Sequence, residues 1–408
     1  MIPRFRPPLG REEVAAALTP GGPRDIEAFE AAFAAAMEQS HAVAFPYGRT
    51  GLIALLRALG LEGHAILCPA YTCVVVANAI VVSGNTPVFV DAGADANADL
   101  GQAAAMITGE TGALIATSIF GHPVDLDRLH RIRERHPTLP VIQDCAHSFI
   151  CEWKGRPVHR EGVAALFGLN VSKTVSSIFG GLVTTDDSAL ANALRRERTR
   201  MLEPASVRKS LARLLYLMAV IPAFWPPLFS ITERLRRAGL LGRLARYYSE
   251  DTIDMPPDYL TAMTPLEARV GRLQVARLRE LIDVRRAYAA YYRQQLAGVS
   301  GLAWLPAPEG SSFSQIAARV ADRRRTTAAL AAKGIQVGEV IEYSVPELAA
   351  YQSVTGAGLS CPVAAALARQ MINLPTSFRF DRAAAGRVVA ALEAVLGGAA
   401  PPPPLPLP

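Results

Sequence analysis

The sequence predicts an α/β fold, with a mostly parallel sheet between helices and a smaller C-terminal α+β domain. Three observations predict it. Short apolar runs alternate with helical stretches from His41 to Ile142, as in repeated strand–helix units. The runs are apolar throughout, as strands covered on both faces are. Glycines and polar side chains gather just past the ends of these runs, where sheets of this class bind ligands.

The 408 residues suffice for two domains, and 50% apolar with 19% charged residues describes a globular chain. Met1–Arg6 has no apolar core of a secretory leader, so a cytoplasmic protein is expected. Five cysteines (Cys68, Cys73, Cys145, Cys151, Cys361) form no CxxC pair and are expected to be reduced. No His, Cys or Asp cluster has metal-ligand spacing, so no metal is expected.

Taken in order, residues 1–40 give an arm and two helices, Arg11–Leu18 and Asp25–Met37, with Asp25 as an N-cap. His41–Phe45 is a strand, followed by the turn Pro46–Gly51 and a helix from Leu52. Strand, glycine turn and helix N-terminus can hold a phosphate, with Gly48 backbone, Arg49 and Thr50 as ligands; an ordinary turn is the simpler reading of this element alone. Strands then follow at Ala65–Cys68, Pro87–Val90, Ala113–Thr117 and Leu139–Ile142, with helices at Cys73–Val82 and Leu126–Arg135. Tyr71, Thr72, Gly121, His122, Asp144 and His147 all fall at strand ends; Asp91 does too, and is read as structural.

Residues 141–185 carry the chemistry. Asp144 ends a buried run, and Lys173 lies between an apolar segment and the Gly180-Gly181 turn. An acid can hold a pyridinium nitrogen and a lysine can form a Schiff base with an aldehyde. Only Lys154, Lys173, Lys209 and Lys333 occur, and all but Lys173 have ordinary explanations. Arginine cannot replace lysine in imine chemistry, because the amine must lose its proton to attack.

A helix at Ala189–Arg200 precedes a different kind of segment. Residues 195–246 hold twelve Arg or Lys and three acids, a net of +9 against +6 for the whole chain. Leu214–Thr232 has no charge but is broken by Pro222, Pro226 and Pro227. This combination suits an anionic membrane surface rather than a nucleic acid, and residues 208–237 are expected to touch a membrane or to fold as a lid or dimer contact. Tyr259–Leu296 is helical with a re-cap at Thr264-Pro265, and the C-terminal unit has β-like runs at Ser312–Ala321 and Ile335–Val337. Helices follow at Arg323–Lys333, Pro362–Gln370 and Arg382–Leu396. The tail Pro401–Pro408 is expected to be an extended, mobile polyproline segment that does not pack.

Several of these motifs together resemble the DegT/DnrJ/EryC1/StrS family of pyridoxal-phosphate (PLP) sugar aminotransferases. They are Gly48-Arg49-Thr50-Gly51, Pro69-Ala70-Tyr71-Thr72, Pro87–Asp91, Phe120–Asp127, Asp144-Cys145-Ala146-His147, Ser172-Lys173 with Gly180-Gly181, and Asn373-Leu374-Pro375. The resemblance implies a large PLP-binding domain on a seven-stranded-type sheet. It assigns residues 1–200 to the arm and that domain, 201–256 to an insertion, 257–398 to the small domain and 399–408 to the tail.

It also implies roles: Lys173 as the catalytic, cofactor-linked lysine, Asp144 on the pyridine nitrogen, His147 at the phenolic oxygen or ring, Gly48, Arg49 and Thr50 on the phosphate, and Tyr71 or Cys73 stacked on the ring. The expected function is transfer of an amino group, with glutamate as the expected donor, to a nucleotide- or lipid-linked keto-sugar in sugar or polysaccharide biosynthesis, by a homodimer in the cytoplasm or peripheral on the inner face of its membrane. The rivals are a non-catalytic membrane homologue and a PLP enzyme acting on a lipid-linked substrate. Gly168 stands where the family has a phosphate-binding serine, and Tyr259–Met263 keeps little of its partner-reaching loop, so Arg49 is expected to take over phosphate binding.

Overall fold

The computed structural model describes residues 1–238, 249, 251–352, 354 and 360–406. Its centre is a seven-stranded sheet of β1 (His41–Phe45), β2 (Ala65–Pro69), β3 (Thr86–Val90), β4 (Thr111–Thr117), β5 (Val141–Asp144), β8 (Ala164–Gly168) and β9 (Gly181–Thr185). The hairpin β6 (Glu152–Trp153) and β7 (Arg156–Pro157) lies between β5 and β8 in sequence, turning on Lys154-Gly155. The sheet order is β1-β9-β8-β5-β4-β2-β3. Only β9 runs against the others, since it pairs antiparallel with both β1 and β8 while the remaining pairs are parallel.

Both faces are covered, as the unbroken apolar strands required. Val43, Phe45, Ile66 and Cys68 face one core, against α3 (Gly48–Ala58), α4 (Val74–Val82) and α7 (Ser188–Met201). Ala42, Ala44, Leu67 and Leu114 face the other, against α2 (Arg24–Ala36), α5 (Leu100–Met106), α6 (Leu126–Arg135) and the helix Pro265–Ala276. The short helix α1 (Arg11–Leu18) packs beside Pro265–Ala276. Helix α6 begins where the Asp125 side chain accepts the Asp127 and Arg128 N–H groups.

A second, three-stranded sheet, β10 (Leu302–Trp304), β11 (Ile316–Val320) and β12 (Met371–Leu374), carries the helices Arg323–Ala332 and Arg382–Leu396 around its own core. Asp91 ties it to the large sheet. Its carboxylate accepts the Val363 (3.0 Å) and Ala364 (2.8 Å) N–H groups, capping the helix Pro362–Gln370. The structural reading of Asp91 therefore holds, though the helix it caps lies far along the chain.

Several boundaries differ from expectation. Asp25 sits inside α2 and accepts the Gly22 N–H instead of capping the helix, because the chain already turns helical at Pro23. Tyr259–Met263 is not helical: the helix starts at Pro265 behind a Thr264–Glu267 capping box. Ile335–Val337 forms only a single bridge, Ile2 to Ile335, in place of a strand. Residues 399–406 have no helix or strand, yet they pack. Arg319 donates to the Pro403 carbonyl (3.0 Å) and Leu405 rests on the main core. An extended proline segment leaves its carbonyls open to such donors.

The segment after α7 forms α8 (Val207–Ala223) and α9 (Pro226–Arg237), bent by 113° at the break. Pro222 ends in the last turn of α8, and the break falls at Phe224-Trp225. Among the described residues no single helix is long and apolar enough to cross a membrane.

Candidate active site

The cleft lies at the C-terminal edge of the large sheet, where β1, β2, β4, β5 and β8 all point the same way. Asp144 is the last residue of β5 and is buried. Its carboxylate accepts the Ala146 N–H at 3.0 Å and, weakly, the Thr117 hydroxyl at 3.4 Å from the end of β4. Burial raises its pKa, opposed by the Ala146 N–H, the Lys173 charge and Thr117.

Lys173 lies between β8 and β9, where its N–H bonds back to Asn170 and the loop has no regular structure. Burial lowers its pKa, while Cys73 and Asp144 act through space to raise it. Its stem passes Gly168: a Cβ built there would stand 3.5 Å from Lys173 Cε. A Cβ here would only make ordinary contact with the lysine stem. A lysine with a lowered pKa is more often neutral, which is the form that attacks a carbonyl.

His147 is buried three residues after Asp144. The Phe120 N–H donates to its Nδ1 at 3.4 Å, which leaves Nε2 to carry the proton into the cleft. Burial, then the Lys173 charge, lowers its pKa well below the usual value, so the ring is neutral at ordinary pH.

The other end of the cleft, where the sequence leads one to expect a phosphate, is built from α3 and its neighbours. Tyr47 is extended and precedes Gly48, the first residue of α3, so the helix N-terminus opens here with Arg49 buried in its first turn. The backbones are unusually close: a Cβ on Gly181 would fall 2.3 Å from Gly48 N, and one on Gly48 would reach 3.4 Å from Gly168 Cα. Gly181 is the residue that lets its chain pass so close to the Tyr47-Gly48 backbone. Burial lowers the Arg49 pKa, and Cys73, Tyr47, Asp254 and Tyr343 act in the opposite sense.

The structure brings Asp144, Lys173, His147, Gly48, Arg49 and Cys73 to this edge. Thr50 and Tyr71 are turned elsewhere. The Thr50 hydroxyl donates to the Tyr259 carbonyl (3.0 Å), and Tyr71 is buried, its hydroxyl on the Ile341 carbonyl (3.3 Å) and its ring edge-on to Phe120. Cys73, at the N-terminus of α4, is the one of the Tyr71–Cys73 pair that is partly exposed. The chain around Tyr259 packs on its own phosphate turn: Tyr47 donates to Asp258 (2.6 Å) and Asn78 to the Asp254 carbonyl (3.0 Å).

Sequence reasoning missed Thr117, Asp254, Asp258 and Tyr343. Thr117 was findable as a polar residue ending the strand beside β5. Tyr343, whose hydroxyl accepts the Val74 N–H (3.0 Å), comes from the far C-terminal unit and leaves no local signal.

The donor set fits pyridoxal phosphate. A buried acid suits a ring nitrogen, an amine without a hydrogen bond from its ammonium suits an aldehyde, and a helix N-terminus with a buried arginine suits a phosphate.

Comparison with known proteins agrees. The model of the DegT/DnrJ/EryC1/StrS aminotransferase family matches residues 16–393. DesV of S. venezuelae, solved in complex with a ketimine intermediate, is 26% identical with a TM-score of 0.74, over 94% of this chain and 93% of that one. DesI, solved with its TDP-sugar product, is 24% identical with a TM-score of 0.75, over 98% and 93%. Helicobacter pylori PseC, an aminotransferase of pseudoaminic acid biosynthesis, shares the fold at 18% identity and a TM-score of 0.76, over 97% and 99%. The chain belongs to the DegT/DnrJ/EryC1/StrS aminotransferase family, and is a fold-type I, PLP-dependent aminotransferase.

Proposed function

We propose that this enzyme moves an amino group from an amino acid, glutamate, to the carbonyl of a keto-sugar carried on a nucleotide or a lipid. The observation that carries the reading is the pairing of a buried Asp144 with a Lys173 amine that has no hydrogen bond among the described residues, across the end of one sheet. Pyridoxal phosphate, when bound, supplies the aldehyde carbon that carries the amino group and a ring that spreads the electron pair released at the substrate carbon.

The chain's residues do the rest. Asp144 holds a proton on the ring nitrogen, and its buried setting keeps water from competing for it. Lys173 Nζ takes the proton from the substrate carbon and returns it on the other side of the transfer. Neutral His147, held by the Phe120 N–H, donates from Nε2 to the ring oxygen. Arg49 and the first N–H groups of α3 hold the phosphate, replacing the hydroxyl that Gly168 lacks. Cys73, partly exposed at the N-terminus of α4, would face the ring. Tyr71 supports that wall from inside the core, and Thr50 fixes the Tyr259 backbone over the phosphate turn.

The sugar substrate is supported by DesI and PseC as fold neighbours. The rest of the reading is a homodimer in the cytoplasm or peripheral on its membrane, with residues 1–200 as the arm and PLP domain, 201–256 as an added segment and 257–398 as the small domain. The test is spectral. Purified protein reconstituted with cofactor should show a visible band that glutamate bleaches and a nucleotide-linked keto-sugar restores. Lys173→Ala should lack the band. A wild-type band that glutamate leaves unchanged would overturn glutamate as donor.

A further inference from the structure

Helix α8 has its faces reversed for a helix in water. Val207, Leu211, Leu215 and Met218 recur at helical spacing and form one stripe, 86%, 54%, 57% and 53% exposed. The opposite face holds the charges. Lys209 and Arg213 point inward with Leu217 and Val220. Arg213 donates to Glu267 (2.8 Å), to the Tyr47 hydroxyl (2.9 Å) and to Asp258, and lies over the Phe179 ring at 4.2 Å. Lys209 donates to the Thr261 carbonyl (2.6 Å).

Helix α9 repeats the arrangement. Leu228, Ile231 and Leu235 are exposed on one side, while Phe229 and Glu233 are buried on the other, Glu233 accepting from Gln336 at 3.1 Å. Ten large hydrophobic residues are exposed among the described residues, and all but Leu18 and Leu260 lie on these two helices or at Trp225 in their bend. A stripe of this size on a soluble surface marks a binding face.

Charge selects the occupant. The single acid between Val207 and Arg237, Glu233, faces inward, so this stretch puts no carboxylate on the outer face. Arg208 and Arg234 stay exposed towards the two outer ends of the stripe. A second copy seated here by a two-fold axis would set exposed cations such as Arg208 and Arg234 against a face with no carboxylate of this stretch to meet them. An anionic surface is attracted instead. The pair is bent by 113° and neither helix spans a bilayer, so it can lie along one leaflet, with Trp225 at the depth where tryptophan concentrates.

We propose that the outer face of α8–α9 docks on the anionic face of a lipid bilayer, its apolar stripe entering the headgroup–acyl boundary. The charged inner face stays on the protein. Because Arg213 bonds to Tyr47, the residue before Gly48, the docked helix stands one hydrogen bond from the phosphate turn.

The experiment is flotation of the full chain with vesicles of phosphatidylcholine alone and of phosphatidylcholine mixed with phosphatidylglycerol. The wild type should float with the mixture, much less with phosphatidylcholine alone, and less in high salt. A Leu211→Ser, Leu215→Ser, Ile231→Ser variant should lose at least about tenfold in partitioning, which needs a loss of only about 1.4 kcal/mol from the three side chains together. Leu18→Ser should float like the wild type. No flotation with either vesicle, or equal flotation of the triple variant, overturns the proposal. So does a triple variant whose molar mass by light scattering halves while wild type does not float, which assigns the face to a second copy. The replaced side chains are exposed, so the fold and the cofactor band are unaffected; loss of lipid binding and loss of the aminotransferase reading are seen separately.

Discussion

The sheet edge and the α8 anchor both bury charged side chains, and they treat them in opposite ways. Arg213 and Lys209 face two carboxylates, Asp258 and Glu267, along with the Tyr47 hydroxyl and the Thr261 carbonyl. Burial lowers the Lys209 pKa despite its partners, but at Arg213 the charges of Glu267, Tyr47 and Asp258 more than offset burial and the pKa is raised. At the sheet edge Asp144 has one good hydrogen bond and one long one, and Lys173 feels it only through space. There burial wins: the acid is raised and the amine lowered. Satisfied buried charge marks an anchor; buried charge left short of partners marks a place kept for a ligand.

The largest effect should come from the unsatisfied pair. Lys173→Ala should cut transamination by at least about 10³-fold, and Asp144→Asn by on the order of a hundredfold, with little loss of stability. Turnover assays beside denaturant melts would check both. If Lys173→Ala instead unfolds the protein while Asp144→Asn is fully active, the contrast between the regions collapses.

Arg213→Met should do the reverse. It leaves Asp258 and Glu267 short of a cation, for a loss of about 3–5 kcal/mol in urea unfolding. Holoenzyme that remains folded should keep its cofactor band.

Arg49→Ala should weaken cofactor binding by roughly tenfold to a hundredfold, the value of one or two charge-assisted hydrogen bonds. Equilibrium dialysis of the cofactor measures it. Unchanged affinity would assign the phosphate to the backbone of α3 alone.

A further effect is one of pH. His122 is buried with both ring nitrogens unpaired, and burial followed by the Arg293 charge lowers its pKa to about 3. The unfolded chain takes up that proton near pH 6.5 and the folded chain only near 3. Stability is therefore complete above pH 6.5 and falls as pH drops through that window, by up to about 1.4 kcal/mol per unit. Thermal melts from pH 7 to 4 should show a shallower decline in His122→Phe.

Much of this was legible in the sequence, and for physical reasons. The strands β1 to β5 were visible because burial on both faces demands unbroken apolar runs, and helices such as Leu126–Arg135 because local side chains cap them. Asp144 and Lys173 were visible because strand ends and scarce lysines stand out. Thr50 and Tyr71 were harder: sequence places them beside the cleft, but a χ1 choice decides whether they enter it, and partners near 259 and 341 made that choice. The reversed polarity of α8 was equally hidden. Its composition announces an apolar, basic segment, but only Asp258 and Glu267, some fifty residues on, show that the cations turn inward.

The cap that Asp91 places on Pro362–Gln370 has a consequence for synthesis. Its acceptor and donors are 272 and 273 residues apart. The ribosome therefore releases β3 long before the helix that needs its carboxylate. The last helices then settle on a sheet already made, and their first turn stays without that acceptor until they do. The order of assembly is written as a direction, from the amino end to the carboxyl end, with Asp91 as the waiting half of the joint.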